Sequence, residues 1–333
     1  MTNKKIFAIG AAYGLIMRLI FGMWPMSSDN AFGRGLSANG PMMWSFVILV
    51  PMLIGIYTVY LLAREKPLKF SVAIFAPWLP TLCFVAGTAI LLIEGSICIA
   101  MAIPIFFFCA SFGGLLGYLL VHTTRAKPGA MNALLLLPFV TGYAEMHIPL
   151  PKETSQSVSS IQIESKPEVI WNLINHAVAI QPAEMKDGLA YMIGVPYPVE
   201  AITHVIPAAD GHLGGEKRIR KLRWAKNVSF DEPITAWEEN RYIKWTYAFR
   251  PDSFPPGALD EHVVIGGKYF DLIDTSYKLT PNGTGTRLDL VVNYRVSTNF
   301  NLYAAWLGEV LVQDATQNML KFYKKRSEAG TGS

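Results

Sequence analysis

The side chains that could carry out chemistry lie in the C-terminal half, on runs where polar and apolar residues alternate. Asp271 falls on the same face of its run as Ile273 and Thr275, because alternate residues of a strand point to one side of a sheet. A carboxyl that points into an apolar interior has a raised pKa and can act as an acid or a base. A solvated Asp271 near a strand end is the alternative, so catalysis by Asp271 is a hypothesis.

His204 is the second candidate for acid–base chemistry, since histidine titrates near neutral pH. It shares a face of its predicted strand with Ile202, which favours a hydrogen-bonded structural histidine as the alternative. Histidines and carboxylates do not recur at the spacing of metal ligands, and no glycine-rich phosphate loop is present. We therefore predict no metal and no cofactor.

The same alternation predicts a site for an apolar ligand. The expected lining consists of inward residues on two strands: Trp245, Tyr247, Leu290 and Tyr294. Aromatic rings of this kind can stack on a ligand, but they are equally typical of an aromatic core. The cation-rich run Arg218–Arg223 is interpreted as a solvated strand face.

The elements that must position these side chains follow an α+β order. A strand over Val158–Ile163 precedes a helix capped by Ser165, and about six antiparallel strands come next. Thr280–Gly285 is a strong hairpin signal. A helix over Leu302–Arg326 ends the domain, with small and apolar residues at spacings of three to four. The sequence predicts a curved antiparallel sheet closed by one long helix, with an internal cavity.

Four segments carry a resemblance to a known superfamily. They are Lys166–Trp171 after the opening strand, Gly215–Arg218, Val228–Trp245, and Tyr277–Arg287 before the last strand and helix. Together they resemble the SRPBCC or START-like superfamily, and within it the polyketide cyclase/dehydrase-like group. The resemblance implies a helix-grip fold around a hydrophobic pocket. Members bind lipids, carry hydrophobic ligands or catalyse cyclisation and dehydration, so the fold alone does not choose an activity.

The N-terminal half differs in composition from the C-terminal half, because long apolar runs dominate it. Its apolar runs reach the roughly 20 residues that cross a bilayer as a helix. Five segments are expected to span, and together they form an α-helical membrane domain: residues 6–24, 42–63, 70–93, 97–122 and 131–148. The fifth is the weakest, because Pro138, Glu145 and His147 interrupt it. Arg18 lies inside the first and is expected to pair with Glu94 or Glu145 or to reach the interface.

Loop charges predict the orientation. Lys and Arg gather before the first segment and in alternate loops, and such loops stay cytoplasmic. Five spans place the C-terminal domain outside, in the periplasm if this is a bacterial inner-membrane protein. If residues 131–148 only lie along the interface, that domain is cytoplasmic. The domain has nearly equal numbers of basic and acidic residues, which argues against a nucleic-acid partner.

The predicted organisation is a membrane domain over residues 1–150, a linker over 151–157, a START-like domain over 158–327 and a disordered tail over 328–333. The leading hypothesis is a membrane-tethered module that binds a lipid or another hydrophobic small molecule. An enzyme of the cyclase or dehydratase kind is one alternative. A sensor that signals through the spans is another.

Overall fold

The computed structural model describes residues 2–23, 40–65, 67–123, 128–185, 187–206 and 217–329. The chain forms two compact units. The helical unit comprises Met1–Pro151 with Thr298–Phe300, and the sheet unit comprises Lys152–Ser297 with Asn301–Ser333. The predicted end of the first span at residue 24, the start of the Gly215–Arg218 motif and the end of the predicted tail, 330–333, lie outside the described residues.

The helical unit is built from apolar helices. Their bounds are α1 Asn3–Met23, α2 Trp44–Val47, α3 Leu49–Glu65, α4 Phe70–Phe75, α5 Trp78–Ile90, α6 Ser96–Thr123, α7 Pro128–Leu134 and α8 Leu137–Glu145. Four stretches of this part of the chain are long and apolar enough to cross a membrane: Asn3–Met23, Trp44–Glu65, Phe70–Ile90 and Ser96–Thr123. The fifth predicted span, divided between α7 and α8, is not among these four stretches.

Glycines let the helices of this unit approach closely. A Cβ atom added to Gly113 of α6 would lie 1.9 Å from the carbonyl oxygen of Met52 in α3. A Cβ at Gly55 of α3 would lie 2.1 Å from the carbonyl oxygen of Ala110. Both obstacles are backbone atoms, which cannot swing aside as a side chain can. The backbones of α3 and α6 are therefore in direct contact at these glycines, as small residues allow.

Two charged side chains inside the helical unit are paired. The Nε of Arg18, in α1, donates a hydrogen bond to a carboxylate oxygen of Glu94, in the turn after α5. One of the partners predicted for Arg18 is thus confirmed. The other candidate, Glu145, caps the start of α2 instead and accepts hydrogen bonds from the backbone N–H groups of Trp44 at 2.7 Å and Ser45 at 3.0 Å. A carboxylate stabilises a helix start, whose N–H groups lack intrahelical partners.

The sheet unit contains eight strands among its described residues. Their bounds are β1 Glu153–Ile163, β2 His176–Ala177, β3 Pro198–Ile206, β4 Lys217–Trp224, β5 Ser229–Glu238, β6 Tyr242–Thr246, β7 Phe270–Asn282 and β8 Gly285–Val296. Its helices are α9 Pro167–Asn175, α10 Pro182–Met185, α11 Leu189–Met192 and α12 Asn301–Ala329. The turn predicted from Thr280–Gly285 is reduced to two residues, with Gly283 at φ +62° in the position where this hairpin type needs positive φ.

The strands form one curved antiparallel sheet in the order β1-β8-β7-β6-β5-β4-β3-β2. Helix α12 packs on β1 and β8, where Thr316 shares a hydrogen bond with Ser159 at 2.9 Å. The expected fold, a helix-grip domain joined to an apolar helical domain, is confirmed. Residues 153–157, assigned to a linker from their composition, instead form the first half of β1 and pair with β8. Polar composition is misleading there, because one face of this edge strand is open to solvent.

Candidate functional site

A buried ion pair occupies the inner face of the sheet. Arg220 of β4 and Glu232 of β5 stand directly opposite each other in the antiparallel register, and they are 5% and 2% exposed. The Nη1 of Arg220 donates to a carboxylate oxygen of Glu232 at 2.5 Å, and its Nε donates to the carbonyl of Ile174 at the end of α9, at 3.0 Å. Two charges are therefore held inside a largely apolar interior.

The strand pattern explains why these charges point inward. Leu222 pairs with Phe230 across the β4–β5 hairpin, and both are core residues. Arg220 lies two residues before Leu222, and Glu232 lies two residues after Phe230. Since side chains two apart share a face of a strand, the charged pair must face the same interior as the apolar pair.

Burial controls the protonation of Glu232. Removal from water raises the pKa of this carboxyl to about 7, and the attraction of Arg220 opposes the shift without cancelling it. Arg220 itself stays protonated: burial by itself would lower the pKa of its guanidinium, but Glu232 together with Tyr323 and Tyr277 raises that pKa above its ordinary value. Glu232 can therefore exist in either protonation state near neutral pH, as a general acid or base requires.

Two tyrosines extend this polar group toward the long helix. Tyr277 of β7 and Tyr323 of α12 are buried, with ring centroids 5.6 Å apart in an edge-to-face arrangement. The hydroxyl of Tyr323 is within hydrogen-bonding reach of both Tyr277 and Arg220. Burial raises the pKa of both phenols, so they remain neutral donors at physiological pH.

Trp245 of β6 is at the centre of the arrangement. The guanidinium carbon of Arg220 lies 4.8 Å from the centroid of its ring, and the ring of Tyr277 lies 5.5 Å away. Its buried indole N–H lies within hydrogen-bonding reach of the Glu232 carboxylate and the Tyr247 hydroxyl, although neither contact has ideal geometry, and it favours the ionised form of each. Tyr247 in turn shares a 2.6 Å hydrogen bond with the hydroxyl of Thr275.

An aromatic cluster continues from this polar group toward the protein surface. Phe230 is fully buried, with Trp224, Phe249 and Phe254 at centroid distances of 5.1, 5.4 and 6.4 Å. Tyr247 stacks on Phe249 at 5.9 Å. The rings around Phe230 are only partly buried. The interior of the sheet unit thus reaches solvent through aromatic side chains.

Three of the four residues predicted to line a ligand site lie together. Trp245 and Leu290 belong to one buried cluster, and Tyr247 packs against it. Tyr294 is fully buried but lies apart from that cluster, with Phe270 at a centroid distance of 6.1 Å. The predicted inward faces are therefore correct for these positions, whereas their role in ligand binding stays a prediction.

The predicted inward orientation of Asp271 is wrong. A β-bulge between Leu272 and Asp274 shifts the register, so that Leu272 shares the inner face with Tyr294 and Asp271 points to the other side. There Asp271 is partly exposed and lies 4.0 Å from Arg295. An extra residue in one strand reverses the faces on either side of it, and simple alternation does not reveal such a bulge.

His204 also lies on the outer face. It stands opposite Ile219 in the β3–β4 register and is exposed, whereas the neighbouring Ala201 is buried opposite Leu222. Asp271 and His204 are therefore not brought together, and neither reaches the buried cluster. Their catalytic roles depend on an inward position and are not proposed further. The described residues of the sheet unit also bring no three histidine, cysteine or carboxylate side chains together as metal ligands would be.

Sequence reasoning misses Arg220 and Glu232. The run that contains Arg220 is interpreted as a solvated face because it is rich in cations, and Glu232 does not stand out within its own run. The available signal is their position relative to the hairpin. Arg220 and Glu232 are equally distant from the apolar pair Leu222 and Phe230, so opposite charges would face each other on the inner side.

The fold and site together define a helix-grip domain with a polar group inside an aromatic interior. No family model matches the chain, and no curated protein sequence matches it. Among solved structures, the Zhui aromatase/cyclase from a Streptomyces species is similar at 10% identity over 54% of this chain and 98% of that one, with a TM-score of 0.31.

Norcoclaurine synthase from Thalictrum flavum, solved with dopamine and hydroxybenzaldehyde, is similar at 11% identity over 55% of this chain and 91% of that one, with a TM-score of 0.30. Scores and identities this low carry no argument about what this chain binds. Its fold is established by its own strand order and register.

Proposed function

We propose that the sheet unit binds an apolar small molecule, a lipid or another hydrophobic compound, on the inner face of its sheet. The observation that carries this proposal is the aromatic cluster around Phe230. Its outer rings are only partly buried, and it leads without a break to Trp245 and Leu290 in the buried core. Ligand sites are commonly apolar and aromatic, with a few polar groups that fix orientation.

The buried charges support a site more than a purely structural core. Replacing a buried ion pair with apolar residues is often neutral or stabilising, so the need for a stable sheet does not by itself explain a pair at these positions. A polar group adjoining partly exposed aromatic rings offers both contact area and orientation to a bound molecule.

Co-purification tests the proposal. The full chain would be extracted into polymer nanodiscs without detergent, because detergent itself competes for apolar sites. Small molecules bound to the protein would then be identified by mass spectrometry. Phe249→Ala, a truncation of a partly buried ring, is expected to reduce the bound compound severalfold. Arg287→Ala, on the outer face of β8, is the matched control and should retain it. An empty wild-type protein that also fails to take up added naphthalene would contradict the proposal.

We further propose that the helical unit anchors this domain in a membrane with four spans. Four apolar helices satisfy the length requirement, and the loop charges place the N-terminus inside. An even number of spans puts the sheet unit on that same side, which is the cytoplasmic alternative to the five-span prediction. The tether would keep the binding site close to the bilayer, where apolar molecules accumulate.

Thiol labelling of intact spheroplasts tests this topology. Ser157 is buried in β1 and is a poor site for a reporter, whereas Thr284 is exposed at the β7–β8 turn. Thr284→Cys, in a background lacking Cys83, Cys98 and Cys109, should react with an impermeant reagent only after lysis. Labelling of intact spheroplasts would show that residues 131–148 form a fifth span and that the sheet unit is periplasmic.

An acid–base enzyme is the second candidate function. The observation that favours it is Glu232, a carboxyl whose burial raises its pKa to about 7, set among neutral tyrosine donors. Exchange of ketone α-hydrogens in deuterated water is a direct assay, since it requires only that a base removes a proton and returns a deuteron. Exchange that is catalysed by the wild type and lost in Glu232→Gln would support the enzyme. Equal rates with and without protein would exclude this activity for the ketone tested.

A further inference from the structure

The first turns of α12 expose a row of apolar side chains. Leu302 is 97% exposed, Trp306 is 56% exposed, and Val310 is exposed one turn further along the helix. The three residues follow one another at a spacing of four, so they lie along one side of the helix. We call these three residues the α12 stripe. Single exposed apolar residues are common on protein surfaces, whereas a contiguous apolar row marks a surface that contacts something other than water.

The rest of α12 follows the ordinary amphipathic pattern. Ala304 and Gly308 are buried on the side opposite the α12 stripe. Beyond the stripe, the exposed side chains before the last residue are polar: Gln317, Lys321 and Lys325. A surface helix normally covers its outer side with polar residues, and only the first turns of α12 depart from this pattern. The outer side of the helix therefore changes from apolar to polar along its length.

The segment before α12 connects the apolar end of this helix to the helical unit. Thr298–Phe300 belong to that unit. The side-chain amide of Asn299 donates to a carboxylate oxygen of Glu145 at 2.9 Å, and Phe300 packs against a buried apolar cluster of the same unit. The α12 stripe starts two residues after Phe300, and a helix rises only about 1.5 Å per residue. A short piece of chain thus ties the stripe to the unit that is proposed to lie in the membrane.

The helix that anchors this segment has an apolar outer surface as well. Glu145, which binds Asn299, is the last residue of α8. Val140 and Tyr143 of α8 are exposed, as is Leu136 directly before it. Helix α8 is not among the four proposed spans. An apolar face on a helix that does not span is typical of one that lies in the plane of the membrane interface.

We propose that the α12 stripe inserts into the interfacial region of the lipid bilayer. This rests on the proposed membrane anchoring and goes beyond it, because it gives the sheet unit a lipid contact of its own. Tyr303 and Trp306, with ring centroids 5.9 Å apart, are of the residue types enriched at the headgroup level of membranes. The polar outer side that begins at Gln317 then lies in water.

The size of the α12 stripe favours lipid over a protein partner. A stable protein interface takes about 20–30 residues from each side, whereas the stripe offers three. Insertion into lipid has no such minimum, because its strength scales with the apolar area that is buried. The fourth exposed side chain in these turns is Glu309, an anion, so the contact does not depend on anionic lipid.

Quenching by spin-labelled lipid tests the proposal on the full chain in phosphatidylcholine vesicles. Leu302→Cys, in a background lacking Cys83, Cys98 and Cys109, would carry a bimane fluorophore. Lys325→Cys is the matched control, an exposed position near the other end of the same helix. Interfacial helices bury their apolar face about 5–10 Å deep. A nitroxide near the headgroup end of the acyl chain should therefore quench the label at position 302 several times as strongly as the label at 325. Aqueous iodide should show the reverse order.

A variant within the stripe sharpens the test. Trp306→Ser should weaken the lipid quenching at position 302, because it removes the largest inserted side chain. Gln317→Ser, on the polar part of the helix, should leave that quenching unchanged. Equal quenching in both variants would show that Trp306 does not insert, and the proposal would fail.

The exposed native Cys83 in α5 separates this proposal from the anchoring on which it rests. A chain that keeps only this cysteine reports whether the helical unit is in lipid. If lipid quenches the label at Cys83 but treats positions 302 and 325 alike, the stripe does not contact the bilayer, whereas the anchoring stands. Protection of position 302 from iodide without quenching by lipid would assign the stripe to a protein partner and overturn the proposal. If lipid does not quench the label at Cys83, the anchoring itself fails and the proposal fails with it.

Discussion

Each unit of this protein contains a buried pair of arginine and glutamate, and the two pairs are built differently. In the helical unit, Arg18 meets Glu94 in the turn that follows α5, and their side chains are 7% and 15% exposed. In the sheet unit, Arg220 meets Glu232 in the middle of two strands, with side chains 6% and 3% exposed. Arg220 has further partners in Ile174, Tyr323 and the ring of Trp245.

This difference indicates different roles. Glu94 lies in the turn between α5 and α6, where its side chain is 15% exposed and can be hydrated if Arg18 is lost. Glu232 cannot be hydrated in this way, because strands enclose it. A partly exposed charge pair is explained by helix packing alone. A charge pair enclosed next to an aromatic cluster that reaches the surface is not, and the ligand binding proposed above would account for it.

The largest effect is expected from breaking the enclosed pair. Arg220→Met leaves Glu232 as a lone buried carboxyl and should destabilise the sheet unit by about 3–5 kcal/mol. Thermal unfolding of the purified full chain measures this as a shift of the sheet unit's transition. The double variant Arg220→Met with Glu232→Leu should recover most of the loss, because it leaves no unpaired charge. A double variant as unstable as the single one would show that the pair is structural.

Glycine substitutions compare how the two units tolerate added volume. Gly113→Ala in the helical unit should cost about 1–3 kcal/mol, because its Cβ would meet the Met52 backbone. Gly308→Ala in α12 should cost less, since its nearest obstacle would be the side chain of Val296 at 3.3 Å, which can shift. Thermal unfolding of both variants provides the comparison. A larger loss for Gly308→Ala would contradict the contact geometry.

Breaking the pair in the helical unit is expected to have a smaller effect. In the four-span placement, Arg18→Met should cost roughly 1 kcal/mol, in the range of polar contacts within membrane proteins. Glu94 can then reach the interface and be hydrated. The shift in unfolding temperature should fall well below that of Arg220→Met. An equal or larger shift would show that Glu94 is as enclosed as Glu232.

A separate effect of the enclosed pair concerns pH. Because the folded pKa of Glu232 is raised from 4.5 to about 7, the folded state binds more protons than the unfolded state between these values. Its contribution to stability is thus complete below the unfolded pKa and is lost as pH rises through about 7. Unfolding temperatures of the wild type should decline from about pH 5 to about pH 8 more than those of Glu232→Gln. Parallel declines would remove Glu232 as the cause.

The sequence allows most of this fold to be predicted and little of the site. Alternation along β8 assigns Leu290 and Tyr294 to the inner face correctly. The glycines before that strand predict the hairpin correctly as well. Periodicity works where a strand is regular. It fails at Asp271, because a bulge adds a residue and reverses the face.

The inward position of Arg220 and Glu232 is not predicted from the sequence, for a different reason. Charged residues are assigned to solvent by default, since they are almost never fully buried unless paired. Recognising such a pair requires the register between two strands as well as the pattern within each. The three-strand convergence on Trp245 is still less visible, because it depends on how β5, β6 and β7 are aligned in the sheet.

Glu232 is a carboxyl in an enclosed apolar interior, where burial lets it gain or lose a proton near neutral pH. Infrared difference spectra of the full chain, recorded across a pH titration for the wild type and Glu232→Gln, test this protonation directly. We expect a protonated carboxyl band that is absent from the variant and that disappears with a midpoint of about 7. A midpoint near the ordinary value of 4.5 would mean that Glu232 is solvated or permanently ionised beside Arg220. That result would contradict both the distinction between the two ion pairs and the acid–base role.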